Sequence, residues 1–318
     1  MVEVRSEVHG IRARGGVHVP AARLWLDGEA SHGLRFLAEL DERSRGSRRR
    51  VCSAPLAELL PSTATRPLAV PYARPFQLGR IAVELLPAGS SPGSAMLRAH
   101  LDGRAVLFAG PARLDAAPTA EPIAWREADI LVLDATLAER ELPGPVGLVP
   151  EVDAAVAHAA VFGQLDWVFD SATVALDALT LVAGRVPVTL STRLARLANR
   201  YIAAGRRLPA ARNPTKRNVN AGLTLRMQSD VAAAMPLLGD RWLAAEDAGP
   251  QALAAVGASR GFAVSRRAAG TDLDGLALAS GATLVVATGA GAAALCARLQ
   301  QRGVRCVHLL ADGQLPLM

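Results

Sequence analysis

The chain has 318 residues, 51% hydrophobic and 20% charged, with 28 Gly, 20 Pro and only 4% aromatic residues. That composition excludes a disordered tail, a collagen-like chain and a disulfide-stapled miniprotein, and the length suits about two domains. Lys216 is the only lysine, so the formal net charge of +6 is carried by arginine and favours polyanionic partners. Residues 1–10 mix both charge signs and lack an apolar core, so no secretory leader is expected.

From there to about residue 145 the chain reads as short strands and turns. RLWLDG ends at Asp27, and IAVELLPAG, AMLRAHLDG and AVLFAG follow with Gly or Asp-Gly punctuation. ADILVLDAT, which closes on Thr136, is a continuous apolar run bounded by acids, as in a buried strand. Residues 146–255 alternate Ala-rich helical stretches with strand candidates such as VPVTL. Past Arg260, GFAVS, ATLVVAT, AAALCARLQQRG and VRCVHLL return to strands and helices, so the whole reads as α/β with a middle insertion. The uncharged run from Leu276 to Ala297 is long enough to span a bilayer. Its glycines Gly281, Gly289 and Gly291 favour a strand, a turn and a helix, and no membrane contact is expected.

Several patterns carry no chemistry. Gly289-Ala290-Gly291 opens a helix after a strand, with Asp312 downstream, but only six residues follow and no dinucleotide fold can continue. His9, His18, His32, His100, His158 and His308 form no HxH, HxxxH or HExxH pair. Cys52, Cys296 and Cys306 contain no CxxC and imply no disulfide framework; a reducing cytoplasm is the expected location.

Charge distribution says more. Between Asp177 and Asp230 there is no acid, while ten basic residues give that window +10 and leave the rest of the chain at −4. A helix is expected after Ser191-Thr192, with Leu194, Leu197, Ala198 and Tyr201 on its apolar face. Beside them Arg193, Arg196 and Arg200 form a basic stripe, continued by Arg206, Arg207, Lys216 and Arg217. Clustered guanidiniums suit phosphate contact through counterion release, and the scarcity of aromatics argues against base stacking. Arg43, Arg45, Arg48, Arg49 and Arg50 make a second cluster.

The segment LLPAGSSPGSAMLRAHLDGRAVLFAGPARLDAAPTAEP, followed by ADILVLDAT, resembles the metallo-β-lactamase-fold nucleases of the β-CASP type. It is most similar to ligase-associated exonucleases and messenger-RNA 3′-end processing factors, and the likeness continues through VPVTLSTRLARLANRYIAAGRRLP, RGFAVSRRAAG and LVVATGAG. The resemblance implies an αββα sandwich from residues 1–147 and 256–318, with a β-CASP-like α/β insertion at 148–255. It also implies two metal ions held by histidines and carboxylates, activating a hydroxide against a phosphodiester. Position by position that set is missing. The HxHxDH signature falls on Leu37-Ala38-Glu39-Leu40-Asp41-Glu42, the PAGH histidine on Ser90, and the bridging aspartate on Pro111. The SDHAD-like motif reads Ser265-Arg266-Arg267-Ala268-Ala269, the late histidine is Thr288, and the acid before Thr survives as Asp134.

The resemblance therefore implies a pseudoenzyme without cofactor, binding nucleic acid, a protein partner such as an active paralogue, or both, in DNA repair or RNA processing. Arg266 and Arg267, beside an emptied metal pocket, are expected to hold phosphate directly. The alternative is an active nuclease with Mg²⁺ or Mn²⁺ bound through Asp41 and Asp134, with Asp27, Glu39 and Glu42 nearby. A third expectation is a structural subunit whose arginines dock on an acidic protein surface.

Overall fold

The computed structural model describes residues 3–5, 7–13, 16–26, 33–40, 49–61, 66–212, 222–231 and 239–310. The chain is a mixed α/β protein that divides into two compact units. The first comprises residues 1–116, 120–141 and 267–318, the second 117–119 and 142–266.

Two sheets build the first unit. An eight-stranded sheet runs in the order Glu3–Arg5, Cys306–Leu309, Leu284–Thr288, Ile130–Asp134, Arg104–Phe108, Ala95–Leu101, Ile81–Pro87 and Phe76–Leu78. The central strand Ile130–Asp134 pairs in parallel on both sides. Its Ile130 and Val132 enter a core shared with the second, seven-stranded sheet, while Leu131 and Leu133 face a core capped by helices Thr271–Ala279 and Ala292–Gln301. Burial on both faces explains the unbroken apolar run of this segment. On the seven-stranded sheet, Val51 joins the shared core and its neighbour Cys52 packs outward with Leu56 of helix Ala54–Leu59. Burial pushes the Cys52 thiol up to about 12. The uncharged run ending at Ala297 is the strand Leu284–Thr288, a glycine turn and the start of helix Ala292–Gln301.

That helix and the next strand carry a correction. Their connection brings the Cα atoms of Cys296 and Cys306 to 5.0 Å, and the two sulfurs are bonded. Spacing alone gave no hint of it, because the pairing depends on a helix folding back against the strand that follows.

The second unit is a five-stranded, wholly parallel sheet in the order Val188–Leu190, Gly222–Met227, Gln164–Phe169, Asp240–Ala245 and Arg260–Ala263. Helices Ala172–Val182, Thr192–Ala203 and Pro250–Val256 provide crossovers between its strands. Trp167, Trp242 and Phe262 form an aromatic cluster with His158 of helix Val149–Phe162, and Val168 and Leu243 pack on Val256. The fifth strand moves the closing boundary: Arg260–Ala263 completes the inserted sheet, so the units divide between residues 266 and 267, later than 255/256. One helical stretch among the described residues, Pro145–Phe162, is long and apolar enough to cross a membrane; its Val152, Ala155 and Ala159 are buried within the unit.

The loop between Ile81–Pro87 and Ala95–Leu101 is tied to helix Ala54–Leu59 through a single glycine. Ser53 Oγ donates to the Gly93 carbonyl at 2.6 Å and accepts from the Leu56 amide at 3.1 Å, capping the helix. Gly93 has φ +76°, and a Cβ there would lie 2.5 Å from the Leu56 nitrogen. Backbone cannot yield as a side chain can. Gly93→Ala should therefore cost about 3 kcal/mol or more, read as a lowered urea midpoint.

Candidate functional site

In the first unit, a cleft of about 70 Å³ opens beside the end of strand Ile130–Asp134. It is lined by Ala38, Glu39, Gly110, Pro111, Asp134 and Arg267, among others. Segments remote in sequence thus converge on it. Asp134 closes its strand, and its Oδ1 accepts from the Thr136 amide at 3.0 Å and the Thr136 hydroxyl at 2.5 Å. Gly289, at φ +86°, passes so close that a Cβ would sit 3.0 Å from that oxygen. The glycine turn thus allows close packing on the end of that strand.

Arg267 occupies the centre of the cleft chemically. Its Nε and Nη2 donate to Glu39 Oε1 at 2.9 and 2.7 Å, and its Nη1 donates to Asp134 Oδ2 at 3.1 Å. Glu39 is 6% exposed and Asp134 12%, against 38% for the Arg267 side chain. One guanidinium bridges two largely buried carboxylates. Its backbone is held in turn by Arg113, 2% exposed, whose Nη1 donates to the Arg267 carbonyl at 2.7 Å. Arg113 also pairs with Asp115 at 2.7 Å and Asp272 at 2.8 Å. Desolvation still holds the Asp272 carboxyl above its ordinary range, against the pull of that guanidinium.

A two-metal centre needs several imidazole and carboxylate donors converging on open positions. Among the described residues the side-chain donors here are two carboxylates bonded to a guanidinium, and Pro111 has no side-chain donor. Ser90 is fully buried without lining the cleft, and the Thr288 hydroxyl donates to the Leu133 carbonyl at 3.2 Å. These residues do not fit a metal pair. For the Mg²⁺ or Mn²⁺ alternative, Asp134 has an acceptor bond on each oxygen, and Asp27, Asp41 and Glu42 lie outside the described residues.

The basic segment lies in the second unit. Helix Thr192–Ala203 buries Leu194, Ala195, Leu197, Ala198 and Tyr201, leaving Arg196 exposed and Arg193 and Arg200 half-buried. Arg206 is half-buried and Arg207 exposed, while Lys216 and Arg217 lie outside the described residues. Two cations of the acid-free window are neutralised from outside it: Arg185 pairs with Asp153 at 2.7 Å and Arg226 with Asp166 at 2.6 Å. Arg266 falls in this unit and Arg267 in the other, so the dipeptide is divided between two environments. Arg266 acts electrostatically on Asp170, whose carboxyl burial nonetheless raises.

The sequence matches no family model and no curated protein. Among solved structures it is similar to a protein of unknown function from Enterococcus faecalis V583. That likeness has a TM-score of 0.55 at 13% identity, over 82% of this chain and 76% of that one. It concerns the fold alone.

Asp177 is a group the sequence reading passed over. It lies on helix Ala172–Val182, fully buried, and its Oδ1 accepts from the Thr119 amide at 3.0 Å and the Thr119 hydroxyl at 2.6 Å. Among the described residues its Oδ2 has no hydrogen-bond partner, nor has the buried Tyr201 hydroxyl, which feels its charge. Desolvation outweighs the two Thr119 bonds and raises the carboxyl to about 7. The only sequence signal was an acid inside an apolar helix, ATVALDALTLV.

Two outcomes follow. Because the Asp177 carboxyl is raised, the folded state binds the extra proton, so its contribution to stability is complete below about pH 4. It is lost as pH rises towards 7. Asp177→Asn should remove a slope of up to about 1.4 kcal/mol per pH unit from urea unfolding measured across that window. Arg267→Ala should cost about 2 kcal/mol by strict comparison of denaturation midpoints, less than for a fully buried pair since the guanidinium is part-exposed. Adding Glu39→Gln should restore part of that loss.

Proposed function

We propose that this chain is a catalytically inactive relative of the β-CASP metallo-β-lactamase-fold nucleases that binds nucleic acid, a protein partner, or both. Support comes from two packed sheets with flanking helices, interrupted by a parallel α/β unit. The observation that carries the reading is the Arg267 bridge. In the motif register, the arginine stands where a ligand histidine belongs, and its charge satisfies the two acids left in the cleft. A fixed monocation on those carboxylates replaces the attraction that would draw a divalent ion. Nothing in the cleft then activates water.

Binding is assigned to the second unit. Arg193, Arg196, Arg200, Arg206 and Arg207 supply positive charge on and just after one helix, for backbone phosphates of DNA or RNA. An active paralogue is the protein partner that best suits an inactive homologue, which it would position on a substrate. Cytoplasmic residence belongs to the same proposal.

The test pairs metal content with binding. Elemental mass spectrometry of untagged protein, before and after Zn²⁺ and Mn²⁺, should find well under one ion per chain; one or two tightly held ions would overturn the reading. Affinity for a mixed-sequence oligonucleotide should fall steeply from about 50 to about 200 mM salt. Arg196→Glu with Arg207→Glu should weaken it for every sequence alike and flatten the salt slope by about 2. Binding indifferent to salt would count against the nucleic-acid half of the proposal.

A further inference from the structure

Helix Ala172–Val182 carries a single acid, and that acid holds a passing piece of chain. Residues 117–119 belong to the second unit, although residues 116 and 120 belong to the first. Their hook is Asp177, whose Oδ1 accepts from both the amide and the hydroxyl of Thr119. Asp177 is fully buried and Thr119 half-buried, so the segment lies between the carboxyl and solvent. Among the described residues Asp177 Oδ2 has no partner, and no cation acts on the carboxyl. A buried charge without a counter-ion is expensive, so the closed hook favours the neutral acid.

The elements packed against this helix supply no such counter-ion. On helix Thr192–Ala203 the buried Tyr201 hydroxyl feels the carboxyl's charge, and Arg200, Arg206 and Arg266 act on that hydroxyl. On the same helix Arg193 donates to Ser229, and Arg196 is exposed. On helix Val149–Phe162, Glu151 pairs with Arg260 and Asp153 with Arg185, while His158 lies against Trp242 and Asp240. Asp166 of strand Gln164–Phe169 and Arg226 of strand Gly222–Met227 pair with each other. The turn Pro145–Leu148 carries no charge.

We infer that the Thr119–Asp177 hook is a pH-sensitive anchor, tight while the carboxyl is protonated and loosened as it ionises, which frees residues 117–119 from helix Ala172–Val182. The sign follows from proton linkage. Closed, the acid keeps its proton up to about pH 7; opened to water, it loses it near the ordinary carboxylate value of about 4. The closed state therefore binds more protons between those two values, and acid tightens the anchor. Opening becomes easier by up to about tenfold per pH unit across that window and levels off above it. The two Thr119 bonds favour the ionised acid, but desolvation outweighs them. This anchor is independent of nucleic-acid binding.

The test is amide hydrogen exchange on the isotope-labelled full chain, followed residue by residue from about pH 4 to about pH 8. Each rate is divided by the intrinsic rate of an unprotected amide at the same pH. Protection of the Thr119 amide should fall by up to about tenfold per pH unit to about pH 7 and then level off. Amides of the strand Gln164–Phe169, in the centre of the same unit, should hold their protection through that range. Asp177→Asn keeps an acceptor for Thr119 without a titrating proton, and should leave Thr119 protection flat with pH. Thr119→Val deletes the hydroxyl, and should lower protection at position 119 by about fivefold. Thr119 protection that is flat in the wild type overturns the anchor, as does an equal slope in Asp177→Asn. A slope shared by all the amides of the unit also overturns it, since that reports global unfolding. Should Asp177→Asn fail to fold, the wild-type Asp177 carboxyl carbon decides. Titration near pH 7, in step with Thr119 exchange, upholds the anchor, and titration in the ordinary carboxylate range overturns it.

Discussion

Glu39 and Asp134 are two carboxylates that need a cation, and Arg267 supplies one. Left alone and largely buried, the pair would repel, which favours uptake of a proton by one acid. A guanidinium suits the task because it is planar, stays charged and donates in several directions at once. It reaches Glu39 across 228 residues of sequence and Asp134 across 133. Arg113 fixes the backbone beneath it through a further bond, so the cation is held at both ends. The chemistry assigned to the cleft follows from this arrangement.

The surrounding fold explains how those groups meet. Strand Ile130–Asp134 is buried on both faces, and its last residue emerges where the sheet ends. A glycine turn after the parallel neighbour Leu284–Thr288 comes close enough to confine the Asp134 side chain. The proline at position 111 faces the same cleft from the turn after the strand on the other side, Arg104–Phe108. Three adjacent strands of one sheet thus surround the ion pair. Parallel pairing brings their carboxyl ends to one edge, and in such sheets that edge carries the chemistry.

In the second unit the same geometry has a different electrostatic outcome. Helix Thr192–Ala203 hides an apolar face beneath it, and its arginines are left partly or fully exposed because no acid lies on its own stretch of chain. The window is less positive in the fold than in the sequence, since Asp153 and Asp166 reach Arg185 and Arg226. What persists is a cationic helix start whose cap hydroxyl is buried and unmatched. On helix Ala172–Val182, Asp177 holds a proton up to about neutral pH, a charge withheld from the interior by desolvation.

Local patterning made several features legible. The strand Ile130–Asp134, the strand–turn–helix from Leu284 to Gln301 and the amphipathic basic helix all follow from periodicity and glycine placement. The inserted unit was legible as an alternation of helices and strands, and GFAVS as a strand, but the unit to which that strand, Arg260–Ala263, belongs was not. Four residues cannot announce which sheet they will join. The Cys296–Cys306 bond and the buried arginine at 113 were equally silent, because both depend on where a distant or returning segment lies. Residues 34–36 form a strand, and Glu39 follows in a loop facing the cleft. By itself the sequence determined which residue types were present and which were missing: two acids, no histidine set, and an acid-free stretch with ten basic residues. Only the tertiary structure decided that Arg267 neutralises those acids while Arg266 belongs to the other unit. Charge pairing acts through space over a few ångströms, and the sequence records neighbours only along the chain.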